Sequence, residues 1–302
     1  MRFSIFQDTA LGARSMNQDR MGYCFTRECL MMIVADGMGG HLRGEVAAQL
    51  AMQTAAAAFQ QSARPSLPDP VAFLDQALRQ AHREILRYQE LHGMPEAPRT
   101  TVVASIVQNG RAWWAHAGDA RLYWVRDGRM MSRTRDHSKV ESLVALGLLK
   151  PHEQEHHPER NKVLNCLGSP FEPTIEISPG VQLRAGDTLL LCSDGLWSAI
   201  HEPELCQRIG GGVVNVVVPE LVRQAVVSAG KLADNTTALA MCWEGEVRSI
   251  DTLSSVLVPD GAVTTTIGFG QLDPESAPEL SDDEIERTIR EIRSAIEKSA
   301  SR

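Results

Sequence analysis

Leu30-Met31-Met32-Ile33-Val34-Ala35-Asp36-Gly37-Met38-Gly39-Gly40 is the stretch on which the reading of the chain turns. Its first six residues form an apolar run of strand length, and the run stops at an aspartate. A carboxylate at the lip of an apolar strand is costly to desolvate unless something compensates it. The glycine that follows lets the backbone turn sharply and bring a carbonyl close to whatever the carboxylate holds. The pattern recurs twice. Thr188-Leu189-Leu190-Leu191-Cys192-Ser193 runs into Asp194-Gly195, and Asp234-Asn235-Thr236-Thr237 leads into Ala238 to Trp243. One Asp-Gly alone is more often a plain turn. Three aspartates at strand ends, far apart in sequence, point to convergence on a hard cation, Mg or Mn, which takes carboxylate, carbonyl and water oxygens.

Further strands are predicted at Arg2-Phe6, Met21-Thr26, Thr101-Val107, Arg111-His116 and Arg121-Arg126, with hairpin turns at Asn109-Gly110 and Asp127-Gly128. Val71, Leu74, Leu78, Ala81, Ile85 and Tyr88 recur every three or four residues and predict a helix from about Pro70 to His92. A second helix follows Gly40 and runs to Phe59. Hairpin-linked strands with helices in separate blocks indicate an α+β fold with antiparallel sheets.

The 302 residues are 43% apolar and 23% charged, as in a soluble globular protein, and carry a net charge of −8. That sign argues against a nucleic-acid or anionic-membrane binder, and no apolar run reaches the length of a membrane span. Met1 to Ala10 lacks the apolar stretch of a secretion signal, and six cysteines without a C-x-x-C pair suit reduced thiols, so we expect a cytoplasmic protein. Residues 248–302 hold 11 acidic and 6 basic side chains, so −5 of the −8 lies there. Residues 1–247 are read as one domain, 248–280 as a flexible linker, and 281–302 as a C-terminal amphipathic helix. That helix opens on a capping box, Ser281 with Glu284, and carries Ile285, Ile289, Ile292 and Ile296 on one face. The stripe docks on its own domain or receives a partner helix; Thr264-Thr265-Thr266 beside it is a phosphorylation site or plain linker.

Two motif matches are set aside. Asp36-Gly37-Met38-Gly39-Gly40 lacks the third glycine of a dinucleotide loop, its place being taken by Leu42, and has no Lys-Ser/Thr for a P-loop. His152-Glu153-Gln154-Glu155-His156 matches H-E-x-x-H literally, but it lies between Pro151 and Pro158 and is polar on every side, without an apolar face to fix it in a core.

The remaining motifs are Arg14-Ser15-Met16-Asn17-Gln18-Asp19, Arg99-Thr100-Thr101, His116-Ala117-Gly118-Asp119-Ala120-Arg121, Asp136-His137-Ser138, His157-Pro158-Glu159-Arg160-Asn161 and Cys192-Ser193-Asp194-Gly195-Leu196-Trp197. Together with the aspartate strands, and in this order, the segment from Gly12 to about Trp243 resembles the metal-dependent protein phosphatase family, the protein phosphatase 2C type, in its compact bacterial form. The resemblance implies a four-layer α-β-β-α sandwich of two antiparallel sheets flanked by helices. It implies a binuclear Mn or Mg site in which Asp36 bridges two ions, the Gly37 carbonyl completes one, and Asp194 with Asp234 complete the other. Asp119 matches the position for a third, weaker metal, Asp19 would act through a bound water, and Arg14 would hold the phosphoryl oxygens. Residues from about 136 to 168 correspond to a mobile flap beside the site. Gln18 stands where many members have Glu, and Met38 where animal members carry a histidine proposed as general acid, so the general acid is unknown.

The activity so implied is hydrolysis of phosphoserine and phosphothreonine in proteins by metal-activated water, opposing a cytoplasmic Ser/Thr kinase, by a monomer that binds no nucleic acid. A catalytically silent phosphoprotein-binding module on the same fold is the alternative, and a zinc hydrolase centred on His152 and His156 a distant third.

Overall fold

A computed structural model of the chain describes residues 1–38, 43–150, 153–154, 157–245 and 264–268. Strand β3, Cys29–Gly37, is the spine of one sheet. It pairs antiparallel with β2, Arg20–Phe25, on one side and with β4, Thr100–Gln108, on the other. β4 pairs with β5, Arg111–Ala117, which carries two short strands, β8, Glu176–Ile177, and β9, Val181–Gln182. The second sheet runs in the order β1 (Arg2–Ala10), β11 (Thr236–Gly245), β10 (Thr188–Cys192), β6 (Arg121–Arg126) and β7 (Arg129–Arg133), all antiparallel.

Side chains alternate across each strand, and both faces are covered. From β3, Leu30, Met32 and Val34 meet Leu189 and Leu191 of β10 and Leu239 and Met241 of β11 between the sheets. Met31, Ile33 and Ala35 point the other way, onto α1 (Gly44–Ser62) and α2 (Pro70–Leu91). Leu190 and Cys192 of β10 face α5 (Glu202–Gly211) and α6 (Val214–Ala229). This is the expected α-β-β-α sandwich. Burial on both faces is why the central strands read as unbroken apolar runs rather than as alternation.

Among the described residues the expected strands and the two expected helices are present, with some ends shifted: β1 continues to Ala10 rather than stopping at Phe6, while β2 stops at Phe25 and α2 at Leu91. Asn109-Gly110 (φ 52° and 66°) and Asp127-Gly128 (φ 49° and 71°) have the paired positive φ of tight hairpins. Asp69 caps α2 by accepting from the Val71 and Ala72 amides, with Pro70 opening the helix.

One segment departs from the expected linker 248–280. Thr264–Gly268 forms strand β12 and pairs antiparallel with Phe25 to Met21 of β2, at the edge of the sheet. Three β-branched threonines suit an extended backbone there. The described residues form one compact unit. The expected helix at 281–302 lies outside the described residues, as do His41 and the histidines of the H-E-x-x-H match.

Candidate metal centre

The strand register collects the aspartates at one edge of the sandwich. Asp36, the penultimate residue of β3, lies opposite Thr101 near the start of β4. Asp19 immediately precedes β2, whose Arg20 lies opposite Ala35. Cys192 at the end of β10 lies opposite both Arg121, which opens β6, and Ala238 in β11. That register brings Asp119, Asp194 and Asp234, each at the head of its element, to the same side. Asp194 opens α4, Asp194–Trp197.

The carboxylates interact. Burial and then the charges of Asp19, Asp194, Asp119 and Asp234 push Asp36 well above the usual carboxylate range. Burial, Asp119, Asp234 and Asp19 do the same to Asp194. Burial pushes Asp119 up to about 7, with Asp136 adding to the rise and Arg121 opposing it. Asp19 rises to about 6, mainly by burial. A cluster of this kind is poorly suited to stand as anions without positive charge among them.

Hydrogen bonds fix the frame. Ser193 Oγ donates to Asp19 Oδ2 at 2.7 Å and accepts from the Thr237 amide at 3.0 Å. Asp19 Oδ1 is buried with no hydrogen-bond partner. Asn235 joins three strand ends, accepting from the Gln18 amide at 2.8 Å and donating to the Leu11 carbonyl at 2.9 Å. Thr100 Oγ1 donates to the Asp36 carbonyl at 2.8 Å. The Gln18 side chain turns to Glu45, 3.2 Å away. Gly37 is held against Gly44 at the start of α1: a Cβ on Gly37 would stand 2.5 Å from the Gly44 carbonyl. Side-chain-free backbone thus shapes the turn after Asp36. Arg14 Nη2 lies 2.5 Å from Asp234 Oδ2.

Every site residue expected from the sequence is therefore in or against this cluster. Ser193, Thr100 and Asn235 each fall inside a quoted motif, but no local pattern marks them as the supports they are. The donor set is oxygen throughout, its members repel one another, and one buried oxygen is orphaned. These features fit divalent Mn or Mg, which would be held by Asp36, Asp194, Asp234 and the Gly37 carbonyl.

A second cluster, His116, His137 and Glu176, has candidate ligand atoms within 4.8 Å of one another. His137 Nδ1 accepts from the Gly118 amide at 3.2 Å and faces the Asn165 amide nitrogen at 2.7 Å. Asn165 is oriented by accepting from the Thr174 amide and donating to the Thr174 carbonyl. With Nδ1 accepting, a ring proton sits on Nε2, towards Glu176 Oε2 at 3.4 Å, and that nitrogen offers no lone pair to a cation there. We read this cluster as a hydrogen-bonded stack of rings, with centroids 4.6 Å apart.

Residues 136 to 168 leave and rejoin the body through a closed neck. Ser138 bridges to Val163, and the Leu164 amide donates to the His137 carbonyl at 2.8 Å. Helix α3, Lys139–Ala145, lies within this segment, capped by Ser138. No helix among the described residues is long and apolar enough to cross a membrane.

The profile of the family Protein phosphatase 2C matches residues 7–228. The serine/threonine protein phosphatase PstP of Mycobacterium tuberculosis is 33% identical over 240 residues, which are 79% of this chain and 44% of that protein. This chain thus spans less than half the length of that relative. Protein phosphatase PhpP of Streptococcus pneumoniae is 30% identical over 245 residues, 79% of this chain and 96% of the relative. The crystal structure of the PstP catalytic domain in complex with two manganese ions superposes with a TM-score of 0.65 at 29% identity, covering 80% of this chain and 97% of that one.

Proposed function

The chain belongs to the protein phosphatase 2C family, and on that premise we propose that it is a Mn/Mg-dependent protein serine/threonine phosphatase. The observation that carries the reading is the convergence of Asp19, Asp36, Asp119, Asp194 and Asp234, whose mutual repulsion a pair of divalent cations would relieve. Bound there, the two ions would supply a water ionised near neutral pH and would neutralise phosphate charge.

The chain's own residues perform the rest. Asp36, Asp194, Asp234 and the Gly37 carbonyl would hold the cations, and Asp119 would offer a further carboxylate for a third. Asp19, clamped by Ser193 through one oxygen, keeps its other oxygen for a water at the site. Arg14 presents a planar fork to the phosphoryl oxygens and is already turned to the cluster through Asp234. The products are inorganic phosphate and the unmodified hydroxyl side chain.

Substrates are phosphorylated proteins. A cytoplasmic location, a Ser/Thr kinase as the opposing enzyme and a monomeric state belong to the same proposal. The raised carboxylates speak against a silent binding module, which has no use for the repulsion. Purified protein should release phosphate from phosphothreonine peptides when Mn is added and stop when EDTA is added. Full rate in Asp36→Asn would overturn the reading.

A further inference from the structure

Arg121 stands where the neck of the 136–168 segment meets the aspartate cluster. Its Nε and Nη2 donate to both oxygens of Asp136, at 2.8 and 2.7 Å, and Nη1 donates to Tyr123 Oη at 2.9 Å. The guanidinium lies over Trp197, its carbon 3.6 Å from the ring centroid. Trp197 closes α4, the helix that Asp194 opens, and its indole Nε1 donates to the Asp119 carbonyl at 3.0 Å. The side chains of Arg121 and Asp136 are 12% and 6% exposed, so little water competes for these bonds.

Asp119 is therefore gripped on both sides. After it, Arg121 is forked to Asp136. Before it, the Gly118 carbonyl accepts from the His137 amide at 2.9 Å, and the Gly118 amide donates to His137 Nδ1. Both grips come from the neck, and one of them also bears on the helix that carries Asp194.

We propose that Arg121 is a positioning residue for the metal centre, which sets Asp119 through the neck and Asp194 through Trp197. The proposal rests on the metal-dependent reading above. Arg121 touches neither phosphate nor cation; it acts through Asp136 and Trp197. Lysine cannot replace it, since an ammonium offers a point charge in place of a fork and a plane.

Two variants test this. Arg121→Lys keeps the charge and loses the fork. Trp197→Phe keeps an aromatic ring beneath Arg121 and removes the N–H to the Asp119 carbonyl together with the five-membered half of the indole. Calorimetric titration with Mn, in the absence of substrate, should show at least one binding site weakened by about tenfold in each variant, the scale typical of partners behind metal ligands. At saturating Mn, KM for a phosphothreonine peptide should stay at the wild-type value. Melting curves in EDTA separate a merely structural role: a lowered Tm with wild-type Mn affinity in either folded variant overturns the proposal. If Arg121→Lys fails to fold, Trp197→Phe alone decides by the same criterion. Wild-type protein that takes up no Mn overturns the metal-dependent reading, and this proposal with it, so the two failures are distinct.

Discussion

Arg14 Nη2 and Asp234 Oδ2 lie 2.5 Å apart, joining the loop after β1 to the residue pair that precedes β11. The two side chains are 56% and 35% exposed, so the pair sits in the mouth of the site and contributes little to folding. Its effect is to orient the guanidinium before any phosphate arrives, at the side of a carboxylate that a cation would also engage.

Removing that guanidinium should therefore affect the substrate more than the fold. For Arg14→Ala we expect kcat/KM on a phosphothreonine peptide to fall roughly 10- to 100-fold, the worth of a charge-assisted pair of hydrogen bonds. Tm should stay within about a degree or two, as for other exposed substitutions. Steady-state kinetics beside a melting curve checks both. A large loss of Tm would place Arg14 in the scaffold instead.

Asp36→Asn should separate activity from stability in opposite directions. Activity with Mn should drop more than about 100-fold, since even residues behind metal ligands cost 10- to 100-fold. In EDTA the same variant should melt above the wild type, because a neutral amide ends the repulsion with Asp19, Asp194 and Asp119. A lower melting point in EDTA would mean that the carboxylates are not in conflict.

The metal-free protein should also become less stable as pH rises. Asp19 and Asp119 hold their protons to about pH 6 and 7 in the folded state, against 3.8 for an ordinary aspartate. Between about pH 4 and 7 the folded chain therefore binds more protons than the unfolded one, so unfolding free energy declines across that window. Asp36 and Asp194 are shifted in the same direction and add to the decline. Melting in EDTA at pH 5 and pH 8 reads the difference, and excess Mn should abolish it. A flat profile in EDTA would contradict the crowding of the four groups.

A stability test far from this chemistry is Arg126. Its Nε and Nη2 bind both oxygens of Asp187 at 2.7 Å, and the Trp124 indole and the Arg184 amide complete that carboxylate. Burial alone would raise Asp187, yet these donors hold it below the usual carboxylate range. Arg126→Met strands a carboxylate only 1% exposed, which should cost about 3–5 kcal/mol and about 10 °C in Tm. Kinetics on the remaining folded protein should be unchanged.

The legible parts of the fold were the strands buried on both faces. β3 and β10 are saturated with apolar residues; β3 ends in Asp36-Gly37, and Asp194-Gly195 follows closely on β10, so their place and their meaning coincide in sequence. β7, Arg129–Arg133, shows no such signal because it lies at a sheet edge and is largely exposed. α6 was illegible for another reason. Val214, Val216, Val217 and Val218 favour extended backbone and Pro219 disfavours a helix interior, yet packing of Val218, Leu221 and Val222 against the β10–β11 face overrides both. At the site, the aspartates announced themselves by position. The supports did not: Ser193 reaches Asp19 across 174 residues of chain, and no local pattern encodes that contact.

The contact between Gly37 and Gly44 bears on how this protein can vary. Each of the two positions excludes a Cβ because the other's backbone occupies the space. Replacing one glycine does not make room at the other, so no pair of successive single substitutions passes through a tolerated form. The turn after Asp36 is in this sense a locked inheritance: side chains around it can be exchanged one at a time, but the two bare backbone positions can only persist together.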